Sequence, residues 1–286
     1  MKLKKVYKII FVVLIILIVL LVGVLAYDKF FNYDKREEEG NKQNNNEPVY
    51  TDHMHEFNVY ESNYLEKNYE RYLAYKKEHS DYSDDTIITY VNIGLDHDFY
   101  TNMEDVDMSD GYLIICNKYH KLQNNYVPDL VSLAGFGGGQ MERVAASYFK
   151  EMSKAAKKDG ISIYNVSGYR SYNTQNSLYN GYVSRDGKAK ADTYSARPGT
   201  SEHQTGLATD INSVSSSFEN TKAFKWLANN SYKYGFILRY PKGKEFITGY
   251  MYEPWHYRYV GVDVAKFIYE KGITYEEYYA TYLLKD

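Results

Sequence analysis

Two short segments, far apart in the chain, carry residue types that suit a single metal ion. Residues 201–210 read Ser-Glu-His-Gln-Thr-Gly-Leu-Ala-Thr-Asp, and residues 253–256 read Glu-Pro-Trp-His. A hydrolytic zinc site usually has three protein ligands and an open fourth position, and His203, Asp210 and His256 can supply the three. Their spacing is too irregular for one helix or strand, so we expect the fold itself to close the site.

The residues around these ligands predict how they are presented. Gly206 is expected to interrupt the first segment, and Leu207–Ile211 reads as a short buried strand that delivers Asp210. Two imidazoles and one carboxylate suit a single Zn²⁺ ion best, although the sequence alone does not fix the metal.

Glu253 is the candidate general base, since a carboxylate beside a metal-activated water can take its proton during attack. On an ideal strand, residues three apart point to opposite faces, so Glu253 and His256 can share one site only if the chain bends. Pro254 permits such a bend because it lacks a backbone donor. The alternative is a surface glutamate in a turn.

Arg170, within the stretch Ser-Gly-Tyr-Arg-Ser, is a further candidate site residue, after the metal ligands and the general base. A guanidinium can hold a carboxylate or a carbonyl oxygen with two parallel hydrogen bonds. In a carboxypeptidase it could polarise the scissile carbonyl or anchor the terminal carboxylate, whereas a surface ion pair is the structural alternative. Trp255 could form a wall of the pocket or belong to the core.

The three motifs resemble those of the VanY-type D-alanyl-D-alanine carboxypeptidases and their L,D-carboxypeptidase relatives. That family carries Ser-Gly-Tyr-Arg-Ser, then Ser-x-His-x-x-Gly-x-Ala-x-Asp, then Glu-x-Trp-His. This chain has all of them in order, at Ser167–Ser171, Ser201–Asp210 and Glu253–His256. The similarity runs from roughly Tyr126 to the C-terminus.

The resemblance implies a zinc carboxypeptidase that removes the C-terminal D-alanine from peptidoglycan stem peptides without a covalent intermediate. It also implies substrate binding by Arg170, Gln175 and Ser201. Whether the bond is D-Ala-D-Ala or L-residue-D-Ala stays open. The alternatives are a peptidoglycan endopeptidase of the same superfamily, which the context of Arg170 disfavours, and a non-catalytic wall-binding domain, which the presence of Glu253 disfavours.

The N-terminus predicts a membrane anchor. Four lysines in Met1–Lys8 precede an unbroken apolar run, Ile9–Ala26, long enough to span a bilayer as a helix. The lysines should stay in the cytoplasm, which places the catalytic domain outside, facing the cell wall. A cleaved signal peptide is the alternative, but its apolar region is normally shorter.

The predicted organisation is an anchor (1–27), a flexible linker (28–56), an N-terminal extension packed on the core (57–125) and the zinc carboxypeptidase domain (126–286). The predicted fold is α+β, a small and mainly antiparallel sheet that carries the zinc site and is covered by helices. A net charge of −3 gives no support for a nucleic-acid partner. The single cysteine, Cys116, excludes an internal disulfide framework.

Hydrophobic periodicity and breakers predict the individual elements. Helices are expected over 60–77, 140–158, 172–183, 218–234, 262–270 and 275–283. Strands are expected over 86–93, 111–116, 161–166, 207–211, 236–240 and 255–260, with a surface loop over 185–200 and a loop or hairpin over 241–252.

Overall fold

A small antiparallel sheet lies at the centre of the fold. The structure, a computed structural model, describes residues His53–Leu284. Its strands are β1 (Glu104–Asp105), β2 (His120–Lys121), β3 (Leu130–Ser132), β4 (Gln140–Glu142), β5 (Asn165–Ser167), β6 (Ala208–Ile211), β7 (Phe236–Leu238) and β8 (His256–Tyr259). The central sheet has the order β5-β6-β8-β7, and each neighbouring pair is antiparallel.

Helices surround this sheet, so the predicted α+β class is confirmed. The α-helices of the described part are α1 (Tyr69–Glu78), α2 (Asp84–Ile93), α3 (Arg143–Lys158), α4 (Tyr172–Asp186), α5 (Lys188–Ala191), α6 (Lys222–Asn230), α7 (Glu245–Thr248), α8 (Val262–Lys271) and α9 (Tyr275–Tyr278). Short 3₁₀ turns cover Met54–Glu56, Glu66–Asn68, Met108–Leu113, Glu202–Thr205, Ser216–Asn220 and Ser231–Tyr234, and a π turn, Tyr279–Leu283, continues α9.

The main core lies between α3 and the central sheet. Ala145, Phe149 and Met152 form the buried face of α3. The ring of Phe149 lies 6.2 Å from that of Phe236 on β7. Burial of an aromatic or aliphatic side chain of this size contributes about 1.5–3 kcal/mol, so this face anchors the helix behind the sheet.

The apolar run Thr86–Ile93, predicted to be a strand, is helical. It lies in α2, and Ser83 caps the first turn of this helix. The Ser83 side chain accepts a hydrogen bond from the backbone N–H of Thr86. Ile87, Ile88 and Val91 are buried on one face. The β-branched residues suggested a strand, but helix propensity is a weak preference that capping and burial override.

Several other predicted boundaries are wrong for local reasons. The first helix begins at Tyr69 rather than residue 60, and 111–116 contains the end of a 3₁₀ turn rather than a strand. The predicted helix 218–234 is divided, because the hydroxyl of Thr221 caps α6, and the residues before it form the 3₁₀ turn Ser216–Asn220. Thr274 and Glu277 form a capping box at the start of α9, which begins at the predicted residue 275.

Four further segments also differ from their predicted bounds or type. Residues 140–142 form β4, with Glu142 capping α3, so the helix predicted from residue 140 begins at Arg143. The strand predicted over 161–166 is shorter and lies later in the chain, since β5 covers only Asn165–Ser167. The predicted loops 185–200 and 241–252 contain α5 and α7.

Between His53 and Leu284, no helix has the length and apolar character needed to cross a bilayer. The predicted anchor, Ile9–Ala26, and most of the predicted linker lie outside the described residues. The described residues, 53–284, group as one compact unit, and the boundary predicted near residue 126 stays a prediction.

Candidate active site

A 3₁₀ turn and two neighbouring strands bring the three predicted ligands together. His203 lies in the turn Glu202–Thr205, which ends at Gly206 with φ of 71°. A side chain at Gly206 would place its Cβ 2.8 Å from the backbone nitrogen of Glu142, so only glycine fits this corner. The chain then enters β6, where Asp210 lies directly opposite His256 of β8.

The three side chains form one buried cluster. Ligand atoms of His203, Asp210 and His256 all lie within 4.8 Å of one another. Nε2 of His203 is 3.4 Å from Oδ2 of Asp210, and Nδ1 of His256 is 3.3 Å from Oδ1. Oδ1 has no hydrogen-bond partner among residues 53–284. A buried, unsatisfied carboxylate oxygen between two imidazoles fits a cation.

The histidine of the 3₁₀ turn has its tautomer fixed by the backbone. Nδ1 of His203 lies 2.7 Å from the carbonyl oxygen of Gly168. A carbonyl only accepts hydrogen bonds, so Nδ1 is the protonated nitrogen and Nε2 keeps its lone pair toward the cluster. Burial, reinforced by Arg170, lowers the pKa of His203, which favours the neutral, ligating imidazole.

The charges of the other two ligands are set by each other. Burial alone would raise the pKa of Asp210, but the two histidines hold it well below its ordinary value. Burial alone would lower the pKa of His256, but the neighbouring carboxylates of Asp210 and Glu202 raise it to about 9. Binding of a dication at this ring therefore releases a proton.

Glu253 lies beside the cluster without belonging to it. Its Oε2 is 3.7 Å from Nδ1 of His256. Glu253 precedes β8, in a turn closed by a hydrogen bond from the backbone N–H of His256 to the carbonyl of Glu253. The bend predicted at Pro254 therefore lets both side chains face the site. Burial raises the pKa of Glu253 to about 8, opposed by His256 and Arg170, which suits a general acid-base.

Arg170 projects into the same cavity from the segment before α4. Its Nη1 donates to Oε1 of Gln175 at 3.0 Å, and its Nη2 lies 3.8 Å from Oδ2 of Asp210. Nε of Arg170 is buried and has no acceptor among the described residues. A guanidinium donor kept in this way is ready to bind an oxygen of a ligand.

Gln175 supports the cavity wall. Its Nε2 donates to the carbonyl of Ala196 at 2.7 Å, while its Oε1 accepts from Arg170. The side chain is buried, so these contacts hold Arg170 in place. Its predicted direct contact with substrate stays a prediction.

The cavity that contains these groups has a volume of about 610 Å³, large enough for a short peptide end. Ser201 and Trp255 line it, as predicted for substrate-binding residues, and their contact with substrate stays a prediction. Cys116 is a buried thiol. Burial raises its pKa well above its ordinary value, so it is not a nucleophile.

Known proteins match this part of the chain. The family described as "VanY: D-alanyl-D-alanine carboxypeptidase" matches residues 138–262. The putative carboxypeptidase YodJ of Bacillus subtilis (strain 168) is 44% identical over 191 residues, which cover 62% of this chain and 70% of YodJ. The chain belongs to the VanY family.

Solved structures agree with the VanY assignment. The LdcB LD-carboxypeptidase aligns with a TM-score of 0.59 and 42% identity, covering 64% of this chain and 94% of LdcB. A mutant of the vancomycin-resistance D,D-pentapeptidase VanY in complex with Zn(II) aligns with a TM-score of 0.52 and 39% identity, covering 58% of this chain and 98% of that one. The donor set of this chain fits the same ion, and zinc is its cofactor.

Sequence reasoning missed part of this VanY-family site. Tyr240, with its ring 4.8 Å from that of His256, and Tyr250 and Met251 line the cavity. Tyr240 ends the predicted strand 236–240, whereas Tyr250 and Met251 come from the segment predicted as a loop or hairpin, and no motif marks any of the three. Glu202 was also missed, although it lies inside the first metal motif, between Ser201 and His203.

Proposed function

We propose that this protein is a zinc carboxypeptidase that removes the C-terminal D-alanine from peptidoglycan stem peptides. The observation that carries the proposal is the buried cluster of His203, Asp210 and His256 in a cavity that also holds Glu253 and Arg170. The three ligands would hold the ion. When bound in such a site, zinc polarises a carbonyl group and lowers the pKa of water.

Glu253 moves the proton in this reaction. Its carboxylate takes a proton from the water that attacks the scissile carbonyl, as the new C–O bond forms. The same carboxyl then gives that proton to the leaving amine as the C–N bond breaks. Its raised pKa, caused by burial, brings the group close to the range in which both transfers are efficient.

Arg170 binds and orients the substrate. Arg170 lines the cavity, its buried Nε has no acceptor among the described residues, and Gln175 holds its Nη1. A terminal carboxylate is planar and accepts two parallel hydrogen bonds, which matches a guanidinium. We assign Arg170 to the terminal carboxylate of the departing D-alanine or to the adjacent carbonyl. Ser201 and Trp255 complete the wall of this subsite.

Two bond specificities occur among the similar solved structures. LdcB is described as an LD-carboxypeptidase and VanY as a D,D-pentapeptidase, and both align with this chain. We therefore propose peptidoglycan stems of either length as substrates.

We also propose that the catalytic domain acts outside the cell while tethered to the membrane. The support is the sequence: lysines before an apolar run, Ile9–Ala26, followed by a polar segment rich in Lys, Glu, Asn and Gln. This location would place the cavity next to its polymeric substrate.

The test is direct hydrolysis. The full-length protein in detergent is incubated with purified tetrapeptide and pentapeptide stems, with zinc or with a chelator, and released D-alanine is followed by mass. Chelator-sensitive loss of one D-alanine is expected, and the stem consumed decides between L,D and D,D action. Internal cleavage would instead identify an endopeptidase, and zinc binding without any cleavage would identify a binding domain.

A further inference from the structure

A charged group lies fully buried behind the metal cluster. The side chain of Glu202 has 0% exposure, as do those of Arg239 and Arg258, which flank it. A carboxylate is rarely buried to this extent unless its position matters, because desolvation of each ion costs several kcal/mol.

The two oxygens of Glu202 have different surroundings. Oε1 accepts from Nε of Arg239 at 2.7 Å and from Nη1 of Arg258 at 2.9 Å. Oε2 faces Nε2 of His256 at 3.5 Å. Neither Oε2 nor that Nε2 has a hydrogen-bond partner within residues 53–284. The two unsatisfied atoms therefore face each other.

This arrangement fixes the direction of the interaction. Two guanidiniums on Oε1 keep Glu202 ionised, and an ionised carboxylate only accepts hydrogen bonds. A proton therefore lies on Nε2 of His256, so Nδ1, which faces Asp210 and the ligand cluster, is the ring nitrogen that remains to bind the metal. Glu202 does for His256 what the carbonyl of Gly168 does for His203.

We infer that Glu202 is a positioning residue that holds His256 with Nδ1 directed at the metal. Glu202 lies on the same 3₁₀ turn as His203, so one turn supplies a ligand and the support for another ligand. Carboxylates that accept from the outer nitrogen of a ligating histidine orient the ring and increase its basicity. The inference rests on the zinc site of the proposed function.

A matched pair of variants in the full-length protein tests this role. Glu202→Gln removes the charge that faces His256. Glu276→Gln removes the carboxylate that pairs with Arg239 from the other side, at 2.5 and 2.8 Å, and no contact joins Glu276 to His256 in the described structure. Zinc dissociation constants are measured by competition with a chromophoric chelator, and stability by thermal unfolding of the zinc-free proteins.

Glu202→Gln is expected to weaken zinc binding by roughly 10–100-fold, while Glu276→Gln leaves zinc affinity within about threefold. Both variants are expected to lower the Tm of the zinc-free protein, because each leaves a buried guanidinium with less countercharge. Equal zinc affinities in the two variants would overturn the inference and leave Glu202 a structural ion-pair partner.

A measurement on the wild-type protein covers the case in which Glu202→Gln does not fold. The protein, with its histidines labelled with ¹⁵N, is loaded with ¹¹³Cd, and one-bond couplings identify the ring nitrogen that binds the ion. Coupling at Nδ1 of His256 and at Nε2 of His203 is expected, with a proton on Nε2 of His256. Coupling at Nε2 of His256 would overturn the inference. Absence of metal binding by the wild-type protein would overturn the proposed function instead.

Discussion

Asp210 and His256 lie directly opposite each other on the antiparallel strands β6 and β8, with Oδ1 of one 3.3 Å from Nδ1 of the other. The sheet register therefore sets the distance between two of the three zinc ligands. Strand pairing fixes the backbone on both sides of this pair, so these two ligands are positioned by rigid elements rather than by loops.

The first prediction concerns this pair. Asp210→Asn keeps the shape of the side chain but removes its charge. Zinc affinity should fall by more than the roughly 10–100-fold typical of losing an outer partner, since a ligand itself is lost. Chelator competition measures the change. Asp129→Asn, at an exposed carboxylate paired with Arg143, is the control and should bind zinc like the wild type.

The second prediction separates binding from chemistry. Glu253→Gln should bind zinc with near wild-type affinity, because Glu253 is not a member of the ligand cluster. Its kcat should fall by about 10²–10⁴-fold, the usual contribution of a general base. D-alanine release under saturating substrate measures the rate. A rate within a few-fold of the wild type would show that another group moves the proton.

The third prediction tests the partner of Arg170. Arg170→Lys keeps the charge but loses the planar pair of donors. Hydrogen bonds to charged groups contribute about 1.5–3 kcal/mol, so kcat/KM should fall roughly 10–100-fold. Arg185→Lys, in an exposed residue that lines the same cavity, is the matched control.

The substrate can be varied to locate the contact of Arg170. If the guanidinium binds the terminal carboxylate, amidation of the stem should slow the wild type far more than it slows Arg170→Lys. Equal effects of amidation on the two proteins would place Arg170 at the scissile carbonyl.

The motifs predicted the ligand set because zinc chemistry constrains residue type and order strongly. The strand that carries Asp210 was predicted to within one residue, since a short buried run after a glycine has few alternatives. The strand prediction for Thr86–Ile93 was wrong because an apolar pattern with Ile87, Ile88 and Val91 buried fits a helix as well as a strand. Ser83 and Gly94, the N-cap and the left-handed C-cap, were the missed signals.

Contacts between residues far apart in the chain could not be predicted from the sequence, for a different reason. Glu202 is adjacent to a ligand in the chain, but its partner Arg239 comes from the segment after β7 and its partner Arg258 from β8. No local pattern shows that two distant arginines converge on one carboxylate. The same holds for Tyr240, which reaches His256 only through the folded sheet.

The fourth prediction concerns Lys118, a buried cation of the predicted N-terminal extension. Its Nζ donates to the carbonyls of Asp192 and Gly249 at 2.6 and 2.5 Å, and it lies 4.4 Å from the ring of Tyr250. These carbonyls belong to two segments that border the catalytic cavity. The ammonium group thus joins the extension to both.

Lys118→Met should lower the free energy of unfolding by roughly 1–3 kcal/mol for each carbonyl left without a donor. It should also raise KM, since Tyr250 and Met251 line the cavity. Denaturant unfolding and steady-state kinetics measure the two effects. Lys121→Met, at a half-exposed lysine, should change neither; an equally small effect at Lys118 would show that the extension does not support the cavity.

The fifth prediction is a pH dependence of stability set by Asp192. Burial alone would raise the pKa of Asp192, but hydrogen bonds from Arg197 and Tyr179 outweigh it, so the pKa lies below its ordinary value. A carboxyl whose folded pKa is depressed binds fewer protons in the native state than in the unfolded state. It therefore contributes stability above its unfolded pKa of about 4, and that contribution is lost as the pH falls through the folded pKa.

Asp192→Asn should remove this contribution, so that the free energies of unfolding of the wild type and the variant differ at pH 6 and converge below about pH 4. Denaturant unfolding of the zinc-free proteins between pH 3 and pH 7 measures the difference directly. Asp81→Asn, at an exposed position before α2, should follow the wild type at every pH. A difference between wild type and Asp192→Asn that stays constant across this range would show that the Arg197 contact stabilises the fold through packing rather than charge.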